Sequence, residues 1–173
     1  MTAISNYKID IIPRTKEILE AYYPHFNDNN REVTFLMNCL LGIIVAISEN
    51  ENSNRKNFGD LIDEEFLSYI PQKIGYINSK NIAADLTNMD LTEIGFNVQH
   101  KENLVSKSKY WLINKLRNGI AHQNIEEVNN DLNWVGVRIS NLHFGKKDFE
   151  IIFQIEELKQ FSIYIANKFI EKN

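Results

Sequence analysis

The densest run of apolar positions lies at residues 33–47, VTFLMNCLLGIIVAI, framed by Arg31-Glu32 and Glu49. It predicts a helix that is apolar on nearly every side, which belongs in the centre of a core or at a subunit contact. At 15 residues the run falls short of the roughly 20 that cross a bilayer, and Asn38 interrupts it, so no membrane association is expected. Upstream, residues 6–23 carry Ile9, Ile11, Ile12, Ile18 and Leu19, a helical pattern with Pro13 expected at its start and Pro24 beyond its end. Residues 25–30 (HFNDNN) read as a polar turn, and residues 50–57 (NENSNRKN) as a solvated loop. Short helices are predicted over 60–69, stopped by Pro71, and over 79–86, capped by Ser79. Residues 85–100, broken by Gly95, show no clear period.

The helical period returns at Asn103, where Leu104, Trp111, Leu112, Leu116 and Ile120 share one broad stripe. After Asn129-Asn130 the period shortens to two. Leu132, Trp134, Val135, Val137 and Ile139 predict a strand, Gly145-Lys146-Lys147-Asp148 a turn, and residues 149–153 the returning strand. Residues 155–170 close the chain as an amphipathic helix with Leu158, Phe161, Ile165 and Phe169 on one side. No repeat or linker divides the chain, so a single domain over 1–173 is expected. The fold class is mainly α, a compact helical bundle with a short β-hairpin before the C-terminal helix.

Composition agrees with helices. Seven Gly and three Pro are about 6 % of 173 residues, half of ordinary usage, while 43 % are hydrophobic, enough for a substantial core. The formal charge of −4 excludes a general polyanion-binding coat but leaves room for a local basic patch. One cysteine, Cys39, excludes a disulfide framework, and its place in the apolar run makes it a buried, inert thiol. None of the 23 Asn residues stands in an Asn-x-Ser/Thr acceptor, and the N-terminus lacks a basic and apolar leader. A cytoplasmic protein is expected.

Phosphate-binding loops, dinucleotide fingerprints, zinc-protease helices and nucleophile elbows are all absent, and the four histidines have no spacing that clips a metal. Neither a metal nor a cofactor is expected. What remains is Arg117-Asn118-Gly119-Ile120-Ala121-His122. Arg and His suffice for metal-free RNA cleavage: imidazole moves the protons, and guanidinium holds the phosphate charge. About 0.1 such pairs arise by chance in a chain of this composition. Arg138 and His143 repeat the spacing on the predicted strand and turn, where Ile139 follows the arginine, and read as an accident. On an unbroken helix Arg117 and His122 stand about 140° apart around the axis. Two arrangements bring such groups together: Gly119 loosening the last turn, or two copies of the helix end meeting across a two-fold axis. Lys107, Lys109 and Lys115 are candidate RNA-backbone contacts within a local basic surplus over residues 101–122. Trp111 and Trp134 lie on faces expected to be buried.

The segment LRNGIAH resembles the signature of the HEPN superfamily, with Arg117, Asn118 and His122 at its three defining positions. The segments REVTFLMNCLLGIIV, WLINKLRNGIAHQNI and FEIIFQIEELKQFSIYIANKF extend the likeness to a plasmid-encoded, stand-alone branch. The resemblance implies a compact HEPN-like helical bundle and a homodimer. It implies a metal-independent endoribonuclease whose Arg117 and His122 form a composite site at the interface, with Asn118 orienting it. Products with 2′,3′-cyclic phosphate ends, and a role as a toxin or defence effector held by a regulatory protein partner, go with that likeness. Asn124 stands where one toxin branch carries Tyr. The alternative is a non-catalytic HEPN helical module that binds RNA, a nucleotide or a protein partner.

Overall fold

The computed structural model describes residues 7–25, 29–54, 58–77, 86, 98–130 and 133–172. Among these residues are five helices, two 3-10 turns and five strands, the helices being α1 Tyr7–Tyr22, α2 Asn29–Asn54, α3 Glu64–Ser68, α4 Lys109–Ala121 and α5 Ile155–Ile170. The strands are β1 Ile74–Ile77, β2 Val98–Gln99, β3 Ile125–Asn130, β4 Asn133–His143 and β5 Lys146–Gln154. They form one antiparallel sheet in the order β2-β1-β5-β4-β3.

This sheet corrects the mainly α expectation. The predicted hairpin exists, but as the centre of a five-stranded sheet rather than an appendage to a bundle. The fold is α+β, with helices on one sheet face. Strand alternation turns Val137, Ile139, Phe149, Ile151 and Phe153 inward, joined by Ile74 and Tyr76 from β1, all buried. Against them pack Leu36, Leu40, Ile43 and Ile47 of α2, Leu112, Leu116 and Ile120 of α4, and Phe161, Ile165 and Phe169 of α5 in one core.

Helix α2 is the hub, touching α1, α4, α5 and β4. It runs well beyond the 33–47 segment, through half of the predicted 50–57 loop, because those polar residues include no breaker. Its stretch Arg31–Glu49 is long and apolar enough to span a bilayer, and half of it is buried within this fold. Cys39 is buried there, and burial pushes its thiol up to about 11.

Several boundaries move. Pro13 lies inside α1, not at its start. The helix expected over 60–69 shrinks to α3, whose N-cap Asp63 accepts a hydrogen bond from the Phe66 amide at 2.8 Å. The long stripe from Leu104 divides into a 3-10 turn, Lys101–Ser106, and α4, which starts at the N-cap Ser108. The hairpin turn is Phe144-Gly145, earlier than the predicted 145–148. The 79–86 helix lies outside the described residues save for Leu86, which is buried with Ile77 and Val98 in a second small cluster.

Gly119 is explained by contact rather than by looseness. It is buried in regular helix, and a Cβ there would stand 2.6 Å from the Ser140 carbonyl oxygen and 2.7 Å from the Ile139 side chain. Helix α4 therefore rests on the β4 backbone. The Gly119→Ala variant should lose roughly 1–3 kcal/mol, several degrees in Tm, because the obstructing atom is backbone. Gly42, with Thr15 at 3.8 Å as its nearest obstacle, is the control. Thermal unfolding should show Gly42→Ala unchanged or stabilised by about 0.5–1 kcal/mol.

Candidate functional site

The candidate site begins where α4 ends. The Asn124 amide donates to the Gly119 carbonyl at 2.9 Å and the Gln123 amide to Ile120 at 3.0 Å, the paired bonds of a Schellman stop. Such a stop requires a left-handed residue, and Gln123 supplies it at φ 57 where Gly is usual. One residue earlier, His122 is the C-cap, exposed, with φ −93 and ψ 10. The Asn124 carbonyl accepts from the Ser140 amide at 2.9 Å, so the chain leaves the helix directly into β3. The turn bearing His122 is thus fixed between α4 and the sheet.

Arg117 sits one turn earlier, half-buried. Its terminal Nη1 donates to the Asn118 side-chain oxygen at 3.0 Å, while its Nε is buried without a hydrogen bond. Among the described residues no carboxylate pairs with it. A guanidinium steered by a neutral amide keeps its charge available to an anion. The helix is regular through Ala121, so Arg117 and His122 remain about 140° apart around its axis. The structure holds both groups at one helix end without aiming them at a common point.

The three lysines are engaged elsewhere. Lys109 pairs with Asp63 at 2.5 Å and lies over the Phe66 ring. That contact, with the Phe66 amide, holds the Asp63 carboxyl below its ordinary range. Lys115 pairs with Asp148 at 2.5 Å, and Asp148 also accepts from the Asn141 amide at 2.6 Å. Lys107 lies over the rings of Tyr76 and Trp111 at 5.5 and 5.4 Å. The basic surplus along residues 101–122 is therefore met by Asp63 and Asp148 from distant parts of the sequence. Trp111 and Trp134 are half-buried. The first packs edge-on against Tyr76 and Phe149, and the second donates its indole N–H to the Gly136 carbonyl.

The second Arg-x4-His match looks different. Arg138 donates to Glu126 at 3.0 Å and lies 3.9 Å from Glu150, and His143 packs against Phe144 at the hairpin tip. Its guanidinium is matched by carboxylates where, among the described residues, that of Arg117 is not. Among the described residues no group of three or more His, Cys, Asp or Glu could hold a metal ion.

Beside the His122 turn is a cleft of about 210 Å³ that the sequence reading missed, lined by Gln123, Asn124, Ile125, Glu126, Ser140, Leu142 and Lys147. The pairing of β4 with both β3 and β5 brings these residues together. A larger apolar groove, about 570 Å³, runs along α2 past Asn38, Leu41, Gly42, Val45, Ala46 and Glu49 to Ile11.

A family model described as HEPN pEK499 p136 matches residues 1–173, and the chain belongs to this HEPN family across its whole length. Comparison with curated proteins and with solved structures gives no match.

The left-handed Gln123 gives the turn a measurable signature. Gly carries no Cβ penalty at that φ, so Gln123→Gly should stabilise the fold by about 0.5–1 kcal/mol despite the added freedom of the unfolded chain. A lower midpoint in denaturant titration would contradict the Schellman geometry.

Proposed function

We propose that this HEPN domain is a metal-independent endoribonuclease whose working form is a homodimer. The observation that carries the reading is Arg117, held by the Asn118 amide with no carboxylate partner among the described residues, on the same helix end as the exposed His122. HEPN modules are generally nuclease-type and generally act as dimers.

The chemistry follows from the two side chains. A neutral His122 imidazole accepts the proton of a ribose 2′-hydroxyl, and that oxygen attacks the adjacent phosphorus. The bond to the 5′-oxygen breaks, and an imidazolium returns a proton to that leaving oxygen. The products are a 2′,3′-cyclic phosphate and a 5′-hydroxyl. The Arg117 guanidinium holds the non-bridging oxygens as charge builds on them. Asn118 is a positioning residue, since it touches Arg117.

The 140° splay is the reason for the dimer. Regular helix to Ala121, with Gly119 pressed on β4, argues against a loosened last turn within one chain. A two-fold axis near the helix end turns the arginine of one copy towards the histidine of the other. The apolar groove along α2, a helix packed on α4, is surface that a second copy can cover. Such an enzyme, acting in the cytoplasm as a toxin or defence effector, needs restraint, and a regulatory protein partner would supply it.

The same splay keeps a second reading in play. A monomer would be a non-catalytic module that binds RNA, a nucleotide or a protein. Purified protein should be dimeric by sedimentation and should cleave RNA in the presence of a chelator. Arg117→Ala and His122→Ala should each lower the cleavage rate by roughly 100-fold or more. His122 is exposed, so its replacement should leave stability within about 0.5 kcal/mol. A stable monomer that leaves RNA intact favours the module.

A further inference from the structure

The turn joining β4 to β5 is Phe144-Gly145, with φ 49 and 75, both left-handed. This is the two-residue turn whose twist suits a hairpin, and Asn-Gly is its usual sequence. A phenylalanine there carries a steric cost that Asn or Gly avoids. Its ring is also 87 % exposed, so burial does not offset that cost. The ring contact described for it is His143, with centroids 4.4 Å apart. Leu142, two residues before the tip, is 47 % exposed.

The tip is joined to the candidate site. One wall of the 210 Å³ cleft is the turn that follows His122, through Gln123 and Asn124. The opposite wall is the turn-proximal part of this hairpin, through Ser140, Leu142 and Lys147. Ser140 is bonded to Asn124, and four strand residues, about 13 Å, lead from it to Phe144. Three residues either side of the turn, the hairpin is braced on α4 by the chain Asn141–Asp148–Lys115, with contacts of 2.6 and 2.5 Å. Phe144 is thereby held at a set distance from the helix end that carries Arg117 and His122.

The cleft offers the side-chain amides of Gln123 and Asn124 around Leu142, while its two charged residues are paired, Lys147 with Glu150 at 2.5 Å and Glu126 with Arg138 at 3.0 Å. Donors and acceptors of that kind suit the hydrogen-bonding edge of a nucleobase. An exposed aromatic ring beside them suits its face. We propose that the cleft and the hairpin tip form a subsite for single-stranded RNA, with Phe144 stacking on a base further along the strand whose cleaved nucleotide is held at His122. The proposal rests on the ribonuclease reading for its ligand, but not for its geometry.

The test measures binding apart from cleavage. The full chain carrying His122→Ala is titrated into a fluorescein-labelled single-stranded RNA decanucleotide of mixed sequence and followed by anisotropy. Adding Phe144→Asn, which fits the turn and should hold or raise Tm, is expected to weaken binding about 5- to 100-fold. Adding Phe144→Tyr, which keeps the ring, should leave affinity within about twofold. Equal affinity with and without the ring overturns the subsite, as does failure of the His122→Ala chain to bind the RNA. So does Phe144-dependent binding to phosphatidylglycerol vesicles in place of RNA. Ring-dependent RNA binding by a wild-type chain that cleaves nothing would remove the ribonuclease reading and leave the subsite standing. Cleavage with ring-independent binding would do the reverse.

Discussion

The last turn of α4 lies directly on the backbone of β4, and the placement of the candidate site depends on that approach. Gly119 leaves room for the Ser140 carbonyl, where a Cβ would stand 2.6 Å away. The Ser140 amide meanwhile donates to Asn124 just past the helix, so one residue of β4 touches both the helix and its exit turn. Interiors packed at crystal-like density do not absorb small displacements, so a shift here would move several elements together. Arg117, Asn118 and His122 are carried by this junction, as is the start of the edge strand β3.

The parts of the fold that were legible in the sequence are those decided locally. Helix α5 occupies residues 155–170 as expected, since its amphipathic stripe coincides with a capping box between Gln154 and Glu157. The β4–β5 hairpin was legible because one sheet face is buried and alternates along the strand. The rest of the sheet was not. All four residues of β1, IGYI, are buried, so no alternation marks them. The edge strand β3, IEEVNN, is two-thirds Glu and Asn, residues of low strand propensity, and owes its conformation to pairing with β4. Gly119 shows the same limit at one residue. Its neighbours in space, Ile139 and Ser140, are twenty and twenty-one positions away, and the chain alone suggested a weak point in the helix instead.

Charge follows the same division. Arg117, Asn118 and His122 lie within six consecutive positions, so a local pattern was enough to single them out. The lysines around them looked basic in one dimension because their counter-charges lie far along the chain. Asp63 meets Lys109 and Asp148 meets Lys115 only after folding. Each partly buried lysine becomes a structural tie, and the Asp148 tie also reaches Asn141 near the hairpin turn. Arg138, with the same spacing to a histidine as Arg117, is likewise matched by Glu126 and Glu150. The distinction at Arg117 is thus one of surroundings. A guanidinium held by an amide retains a charge that carboxylates would have neutralised.

The same rigidity limits what one copy of the proposed site can do. Two groups fixed on a regular helix five residues apart point about 140° away from each other, and nothing in the Schellman stop relaxes that angle. A flexible helix end could have closed the gap within a single chain, at the expense of a variable catalytic geometry. The packing of Gly119 and the bond from Ser140 to Asn124 work against that freedom. In the proposed homodimer, convergence comes from rotation of a whole second copy, which preserves the geometry of each half. A two-fold axis repeats each contact, so a short helix end that is rigid in the monomer can yield a site in which Arg and His face each other twice. In the proposed enzyme, the close approach that keeps the half-site rigid is therefore also what makes its activity depend on association.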